Sequence, residues 1–414
     1  MLVLEFKVRA KNHQYIAMDE AIRTAQFIQN KCLRFWMDNE KVNKYDLNKY
    51  CRVLAHDFEF ANKLNSQARQ SSAERSSSAI SRFYDNCKRK VPGKKGFPRF
   101  KKNCRSVEYK TTGWKLDLNT RKAITFTDKN NIGRVKLVGT YDLHFYPIES
   151  IKRVRLIRRA DGYYCQFILS VDVKVDTEPA NSVIGLDVGL ESFYTDQNGN
   201  KINNPRFLRK REKKLKKLQR RLSRKRKGSS NRRKARARLA KAHLKISRQR
   251  KDFAVKLARC VIHSNDVIAY EDLRIKNLVK NHCLAKSIND AAWYQFREWL
   301  EYFGKKHGKI TVAVPPHYTS QKCSNCGEIV KKSLSTRTHI CACGCQLDRD
   351  ENAARNILKL GLSTAGHSGT SVRLRSPSEV EVNALGEDTS TFSEAILSKQ
   401  VTSVNKESPV TASA

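Results

Sequence analysis

VIGLDVGLESFYTDQNGNKI, residues 183–202, sets an apolar run directly against an aspartate, Asp187. The run reads as a strand, and ESFYTDQNGNKI as a second strand that turns at Asn198-Gly199. Burying a carboxylate at the end of a central strand is costly unless a cation or strong donors compensate it. Taken alone, GLDVG is a weak signal and more often an ordinary strand end. Working downstream, Asn265-Asp-Val-Ile-Ala-Tyr-Glu271 repeats the pattern of an apolar strand closed by an acid. By itself it also fits a surface glutamate. Ile310-Thr-Val-Ala-Val-Pro reads as a third sheet segment, following a helix with Trp293, Phe296, Trp299 and Phe303 on its packing face.

Strand, carboxylate and antiparallel neighbour together suggest an RNase H-like sheet. Between its first two acids, residues 206–251 hold 24 Lys and Arg and one acid, Glu212. Leu208, Leu215, Leu218 and Leu222 keep helical spacing, as do Leu239, Ile246, Phe253 and Leu257, and Gly228-Ser-Ser-Asn231 breaks them into a helical hairpin. Like charges four residues apart destabilise a helix unless something neutralises them, so the hairpin is a candidate phosphate-backbone track. Lys213, Lys217, Arg220, Arg224, Arg232, Arg236 and Arg248 are its candidate contacts.

Beyond the third strand, Cys323-Ser-Asn-Cys326-Gly has the spacing that lets two thiolates reach one tetrahedral zinc ion. A second knuckle, Cys341-Ala-Cys343-Gly-Cys345, is irregular. Cys343 is followed by glycine, as Cys326 is, and is read as the anchor. The fourth ligand is Cys341 or Cys345, with His339 a third choice; Cys341 is preferred because it precedes the anchor as Cys323 precedes Cys326. Seven scattered cysteines suit a reducing cytosol, which argues against a disulfide here. A zinc held in this way is structural. Asp348-Arg-Asp350-Glu-Asn-Ala-Ala then opens a helix, where capping accounts for one acid. Asp187, Glu271 and Asp350 form a candidate cluster able to hold two Mg²⁺ (or Mn²⁺) ions.

Upstream, Leu2, Leu4, Phe6 and Val8 alternate as a strand, and Ile22, Ala25, Ile28, Cys32 and Phe35 lie on one helical face from Asp19. A second helix is expected from Asn62 to Lys88. VPGKKGFPRFKK, residues 91–102, reads as a basic loop whose Phe97 and Phe100 suit base stacking, or equally anchor the loop in a core. RKAITFTD, GRVKLVG, SIKRVRLIRR and YYCQFILSVDVKV read as strands of a small barrel or curved sheet within 105–178, with a turn at Asp161-Gly162. Over 414 residues, 82 Lys and Arg against 40 Asp and Glu give a formal charge of +42. A polyanionic partner, nucleic acid, explains that excess better than a membrane, since no apolar run long enough to span one and no signal peptide are found.

GLDVG (185–189), YEDL (270–273), LAKSINDAAWYQFREWLEY (284–302), PPHYTSQKCSNCG (315–327) and LDRDENAARNIL (347–358) resemble the TnpB (OrfB) family of insertion-sequence proteins, relatives of type V CRISPR effector nucleases. The resemblance implies a multidomain α/β chain. Its RuvC/RNase H-like nuclease domain would carry an inserted basic helical hairpin and a zinc ribbon, after a helical recognition region and a small β-barrel wedge. The expected boundaries are a first wedge strand at 1–10, recognition at 11–90 and wedge at 91–178. The nuclease domain spans 179–317 with its hairpin at 205–258, then the ribbon 318–346, a last RuvC segment 347–362 and a disordered, Ser- and Thr-rich tail 363–414. Asp187, Glu271 and Asp350 are then the catalytic, magnesium-holding triad, with Asp350 chosen over Asp348 because it directly precedes Glu351-Asn-Ala-Ala. The resemblance implies an RNA-guided DNA endonuclease, cytoplasmic and nucleoid-associated. Its partners would be a guide RNA from the transposon end and a double-stranded DNA target, with no small-molecule substrate. Two other readings are a transposase using the same carboxylates for strand transfer and a non-catalytic nucleic-acid-binding regulator.

Overall fold

In a computed structural model of the chain, residues 2–171, 174–333 and 336–367 are described. The tail expected from 363 lies outside them, apart from a helix that continues to His367. The chain divides into two units, Met1–Val173 and Lys174–Ala414.

In the first unit, β1 (Leu2–Arg9) buries Leu4, Phe6 and Val8 on one face, as its alternation requires. Four helices follow: α1 (Asn12–Asp38), α2 (Lys44–Asp57), α3 (Glu59–Lys63) and α4 (Ser66–Lys88). Helix α1 starts earlier than Asp19 because the Gln14 side chain accepts from Lys11 N at 2.9 Å, closing the first turn. The helix expected from Asn62 breaks at Asn65, whose side chain caps α4 by accepting from Gln67 N at 2.8 Å. Helix α2, unforeseen, carries a reciprocal Asn43/Asp46 cap.

The strands β2 (Ser106–Lys110), β3 (Trp114–Leu116), β4 (Ala123–Phe126), β5 (Gly133–Val138), β6 (Ile151–Arg159) and β7 (Gly162–Leu169) join β1 in one antiparallel sheet, ordered β2-β6-β7-β1-β5-β4-β3. It curls: Tyr109 of edge strand β2 meets Phe126 of β4 with ring centroids 4.8 Å apart, and Trp114 of edge strand β3 reaches Phe167 of β7 at 6.4 Å. Strands β2 and β3 remain the two edges, so the expected barrel is a curled sheet whose ladder does not close among the described residues. Buried Glu108 faces the other side. Burial would raise its pKa, but hydrogen bonds from Arg153 at 2.7 Å and Arg155 at 2.7 and 2.9 Å hold it below the ordinary carboxylate range.

The second unit is built on β8 (Val183–Val188), β9 (Ser192–Asp196), β10 (Lys201–Asn203), β11 (Val267–Glu271) and β12 (Ile310–Val314). Their order is β10-β9-β8-β11-β12, antiparallel through β8 and parallel from β8 to β12. Helices α5 (Phe207–Ser223) and α6 (Ser230–Ser264) form the basic hairpin, followed by α7 (Ile275–Leu278), α8 (His282–Ala291) and α9 (Trp293–Lys306). Helix α6 runs past the expected end at 258 because Leu257, Ala258, Val261 and Ile262 are buried in the core beneath the sheet. A two-stranded ribbon, β13 (Thr338–Ile340) and β14 (Gln346–Asp348), leads straight into α10 (Arg349–His367), so the expected ribbon boundary at 346 falls inside β14. No helix among the described residues is long and apolar enough to cross a membrane.

Candidate functional site

Side chains two apart on a strand share a face. Ile184, Leu186, Ile268 and Tyr270 all enter the core formed with α6 and α9. Gly185 and Ala269 therefore face the other way, and there α10 lies. A Cβ at Gly185 would fall inside contact distance of Ala354 O and 2.7 Å from Leu358 Cβ, and one at Gly361 would overlap Ala269 Cβ. The two glycines let α10 approach the strands closely. Asp187 and Glu271 are two residues beyond Gly185 and Ala269, so both acids point to the α10 side. Leu186 pairs with Tyr270 in parallel register, which sets Asp187 and Glu271 side by side at the same sheet edge. Gly185→Ala is expected to cost about 1–3 kcal/mol by overpacking, read as a lowered denaturation midpoint; an unchanged midpoint would contradict this packing.

The third acid comes from the helix itself. Asp348 Oδ1 accepts from Asp350 N at 2.9 Å and Glu351 N at 3.4 Å, so Asp348 is the cap, and its other oxygen takes Lys201 Nζ at 2.8 Å. Capping thus uses Asp348 and leaves Asp350 in the first turn beside the sheet acids. Asp187 registers this proximity. Burial first, then the charges of Glu271 and Asp350, push its pKa well above the ordinary range, against a lowering by Arg349. Burial also raises Glu271, opposed by the Thr319 hydroxyl, which donates to Oε1 at 2.5 Å. Asp350 is turned toward Arg349, at 3.0 and 3.1 Å, with Arg337 at 3.8 Å. Among the described residues the acids do not draw their oxygens within 4.8 Å of one another as the cysteines do with their sulfurs.

Cys323, Cys326, Cys341 and Cys343 form one such group, with Cys323 and Cys343 sulfurs 3.8 Å apart and Cys326 and Cys341 sulfurs 3.5 Å apart. Four thiolates at about 2.3 Å from a tetrahedral zinc would stand about 3.8 Å from one another, so the donor set fits that ion. Burial alone would raise the Cys323 thiol. Backbone N–H groups of Cys326 and Asn325, with the His339 ring, outweigh it and hold the pKa at about 5. The Cys345 sulfur lies instead with Cys323 and His339 in a second set. That set has three donors, one of them shared with the first.

Residues that no periodicity announces tie the two features together. Asn352, fully buried on α10, accepts from Ser324 N at 2.9 Å and donates to Lys322 O at 2.8 Å. Asn356, one turn on, donates to Thr319 O at 2.9 Å and Lys322 O at 2.7 Å. Thr319 thus links Glu271 to α10, and Lys322 and Ser324 link the first knuckle to the same helix. Two asparagines at i,i+4 on one helical face were the available signal. Asp290, also unforeseen, accepts from Leu208 N at 2.9 Å and Arg209 N at 3.2 Å and from Arg250 at 2.8 Å, fixing the base of the hairpin.

Along that hairpin, Lys213, Lys217, Arg220, Arg224, Arg236 and Arg248 are exposed. Arg232 is not presented in that way. It turns into the loop between the helices and donates to Leu222 O at 3.0 Å and Lys225 O at 2.7 Å, closing the hairpin.

The family model described as "Probable transposase", OrfB_IS605, matches residues 166–282, and that of the "Cas12f1-like, TNB domain" matches 293–357. A "Putative RNA-guided DNA endonuclease" of Streptomyces pristinaespiralis is 32% identical over 214 residues, 51% of this chain and 53% of that relative, so the chain spans about half of it. The "Putative RNA-guided DNA endonuclease InsQ" of Escherichia coli is 29% identical over 383 residues, 86% of this chain and 91% of that relative. Among solved structures, a Cas12f1 chain in complex with sgRNA and target DNA overlaps 83% of this chain and 82% of its own length at 15% identity and a TM-score of 0.49. Fold and matches define a multidomain α/β protein with a TNB domain. Residues 166–282 and 293–357 are thus similar to the OrfB_IS605 and Cas12f1-like TNB families.

Proposed function

We propose that this chain is a transposon-encoded, RNA-guided DNA endonuclease that hydrolyses phosphodiester bonds at a RuvC-type site made of Asp187, Glu271 and Asp350. The observation that carries this reading is electrostatic. Asp187 and Glu271 lie side by side at one sheet edge with Asp350 opening α10 beside them, and burial first, then the charges of Glu271 and Asp350, push the pKa of Asp187 up. A fold tolerates such repulsion where a cation relieves it. The strand order β10-β9-β8-β11-β12, with α10 across it, supports an RNase H-like domain.

Three carboxylates suit a hard divalent cation, and Asp187, Glu271 and Asp350 are the residues that would hold magnesium (or manganese). Bound there, it would lower the pKa of water and neutralise charge on the scissile phosphate. The chain's own part is positional. Asp348 fixes the first turn of α10 and so the direction of Asp350, Thr319 favours ionised Glu271, and Arg337 and Arg349 add positive charge beside Asp350. Cys323, Cys326, Cys341 and Cys343 would hold a structural zinc, making 318–346 a ribbon that anchors α10. The exposed face of the hairpin would carry nucleic-acid backbone, with a guide RNA choosing the DNA site by pairing as in Cas9-type effectors. The names of the two relatives above support RNA guidance and DNA as substrate.

The test is purified protein with its copurifying RNA, Mg²⁺ and a DNA matched to that RNA. Cleaved DNA is expected; intact DNA across a library of flanking sequences would refute the reading, and joined strands would favour transposition. Within this reading, Thr319→Val removes the donor that opposes protonation of Glu271. The acidic limb of the pH–rate profile should move to higher pH, with about a tenfold loss of rate below neutrality, since a hydrogen bond to a charged group contributes about 1.5–3 kcal/mol. An unmoved limb would mean that Glu271 need not ionise.

A further inference from the structure

The loop VPGKKGFPRFKK presents aromatic side chains instead of burying them. Phe97 is 53% exposed and Phe100 45%, so neither is a core anchor. The loop has no regular secondary structure, yet its backbone is held in place. Asn30 of α1 brackets Lys101, donating to its carbonyl at 2.9 Å and accepting from its N–H at 2.8 Å. Gln26 accepts from Cys104 N at 2.7 Å, and Asn86 of α4 donates to Lys95 O at 3.0 Å.

So held, Phe97 completes an aromatic groove with Trp36 at the end of α1 and Phe83 and Tyr84 on α4. Its ring lies 5.6 Å from Trp36 and 5.2 Å from Phe83, and Tyr84, 55% exposed, stands 6.0 Å from Trp36 at 83°. The groove has a volume of about 710 Å³, within the range of small-ligand sites. Aromatic walls at steep angles also suit a cation. Charge decides against one: residues 88–102 contain eight Lys and Arg and no acid, and Glu40, which lines the groove, is matched there by Lys41. A ligand that joins a flat apolar ring to a negative charge satisfies both features, and a nucleotide is such a ligand.

We infer that this groove takes an unpaired nucleotide of a single-stranded nucleic acid, with its base stacked among Trp36, Tyr84 and Phe97 and its phosphates on the basic loop. The inference deepens the reading above and rests on it only for the presence of a single strand. The test reads binding and not cleavage, so an inactive but binding protein would sink that reading and leave this one standing.

Full-length protein is titrated with labelled oligouridylate, oligothymidylate and an RNA duplex, and ultraviolet crosslinks are mapped. Phe97→Ala and Tyr84→Ala should each weaken single-strand binding about 5- to 100-fold, as loss of one base–aromatic stack does. Duplex binding and its salt slope should stay unchanged, and Phe97→Tyr should restore affinity. Crosslinks are expected at Trp36, Tyr84 or Phe97, and the stronger of the RNA and DNA arms identifies the strand. Both side chains are more than half exposed, so unchanged melting midpoints are expected to accompany the loss. Binding within twofold of wild type in both alanine variants, equal loss of duplex binding, or crosslinks confined to other segments would overturn the inference.

Discussion

Asp187→Asn is expected to lower DNA cleavage at least about 10³-fold, equivalent to about 4 kcal/mol of transition-state stabilisation, while RNA binding stays at the wild-type level. Asparagine keeps the size of the side chain and one acceptor oxygen but cannot supply the charge that a divalent cation needs. A second consequence separates loss of function from loss of fold. Burial and the neighbouring Glu271 and Asp350 raise the folded-state pKa of Asp187 well above that of the unfolded chain. The folded protein then retains a proton that the unfolded chain releases near pH 4, so metal-free stability is greatest below that value and falls as pH rises toward the folded pKa. Asparagine removes this fall. In chelator at neutral pH the variant should melt higher than wild type, and added Mg²⁺ should stabilise only the wild type. Cleavage retained by the variant would remove Asp187 from the site, and a lower melting point in chelator would remove the repulsion argument.

The parts of this arrangement that sequence could reveal are those with a short period or a fixed spacing. An apolar run stopping at Asp187, another at Glu271 and two thiols two residues apart are local patterns, and the sheet and the cysteine group form where those patterns place them. The helix start was not legible in the sequence, and the structure shows it: Asp348 caps α10 by accepting from Asp350 N, which supports the choice of Asp350 for the proposed site. Thr319, Asn352 and Asn356 escaped because their partners lie far away in sequence, Thr319 being 48 positions from Glu271. A buried amide or hydroxyl has no periodic signature, and its importance shows only when its donors and acceptors are traced. Arg232 illustrates the converse. It has the same local sequence character as its basic neighbours, but its position after the Gly228 turn gives it backbone carbonyls to close.

Loss of zinc should be the other large effect, and it should depend on which cysteine is removed. Structural zinc contributes about 10–16 kcal/mol of apparent binding energy in small ribbons at neutral pH, which such segments cannot replace by packing. Cys341→Ser and Cys343→Ser each break the four-sulfur group and should abolish stoichiometric zinc, measured by metal analysis after gel filtration. Cys345→Ser leaves that group whole and should retain one zinc per chain. The loss should reach the proposed nuclease site by a defined route. Strand β14 runs directly into α10, and Asn352 and Asn356 hold the first knuckle's backbone from that helix, so a ribbon without metal releases the first turn that aims Asp350. Cleavage should therefore fall together with zinc content in Cys341→Ser and Cys343→Ser, while the melting of the first unit, whose core is separate, should not change. Zinc lost in Cys345→Ser and kept in Cys341→Ser would move the site to the set formed by Cys323, His339 and Cys345, and full cleavage by a zinc-free variant would break the link between ribbon and carboxylate.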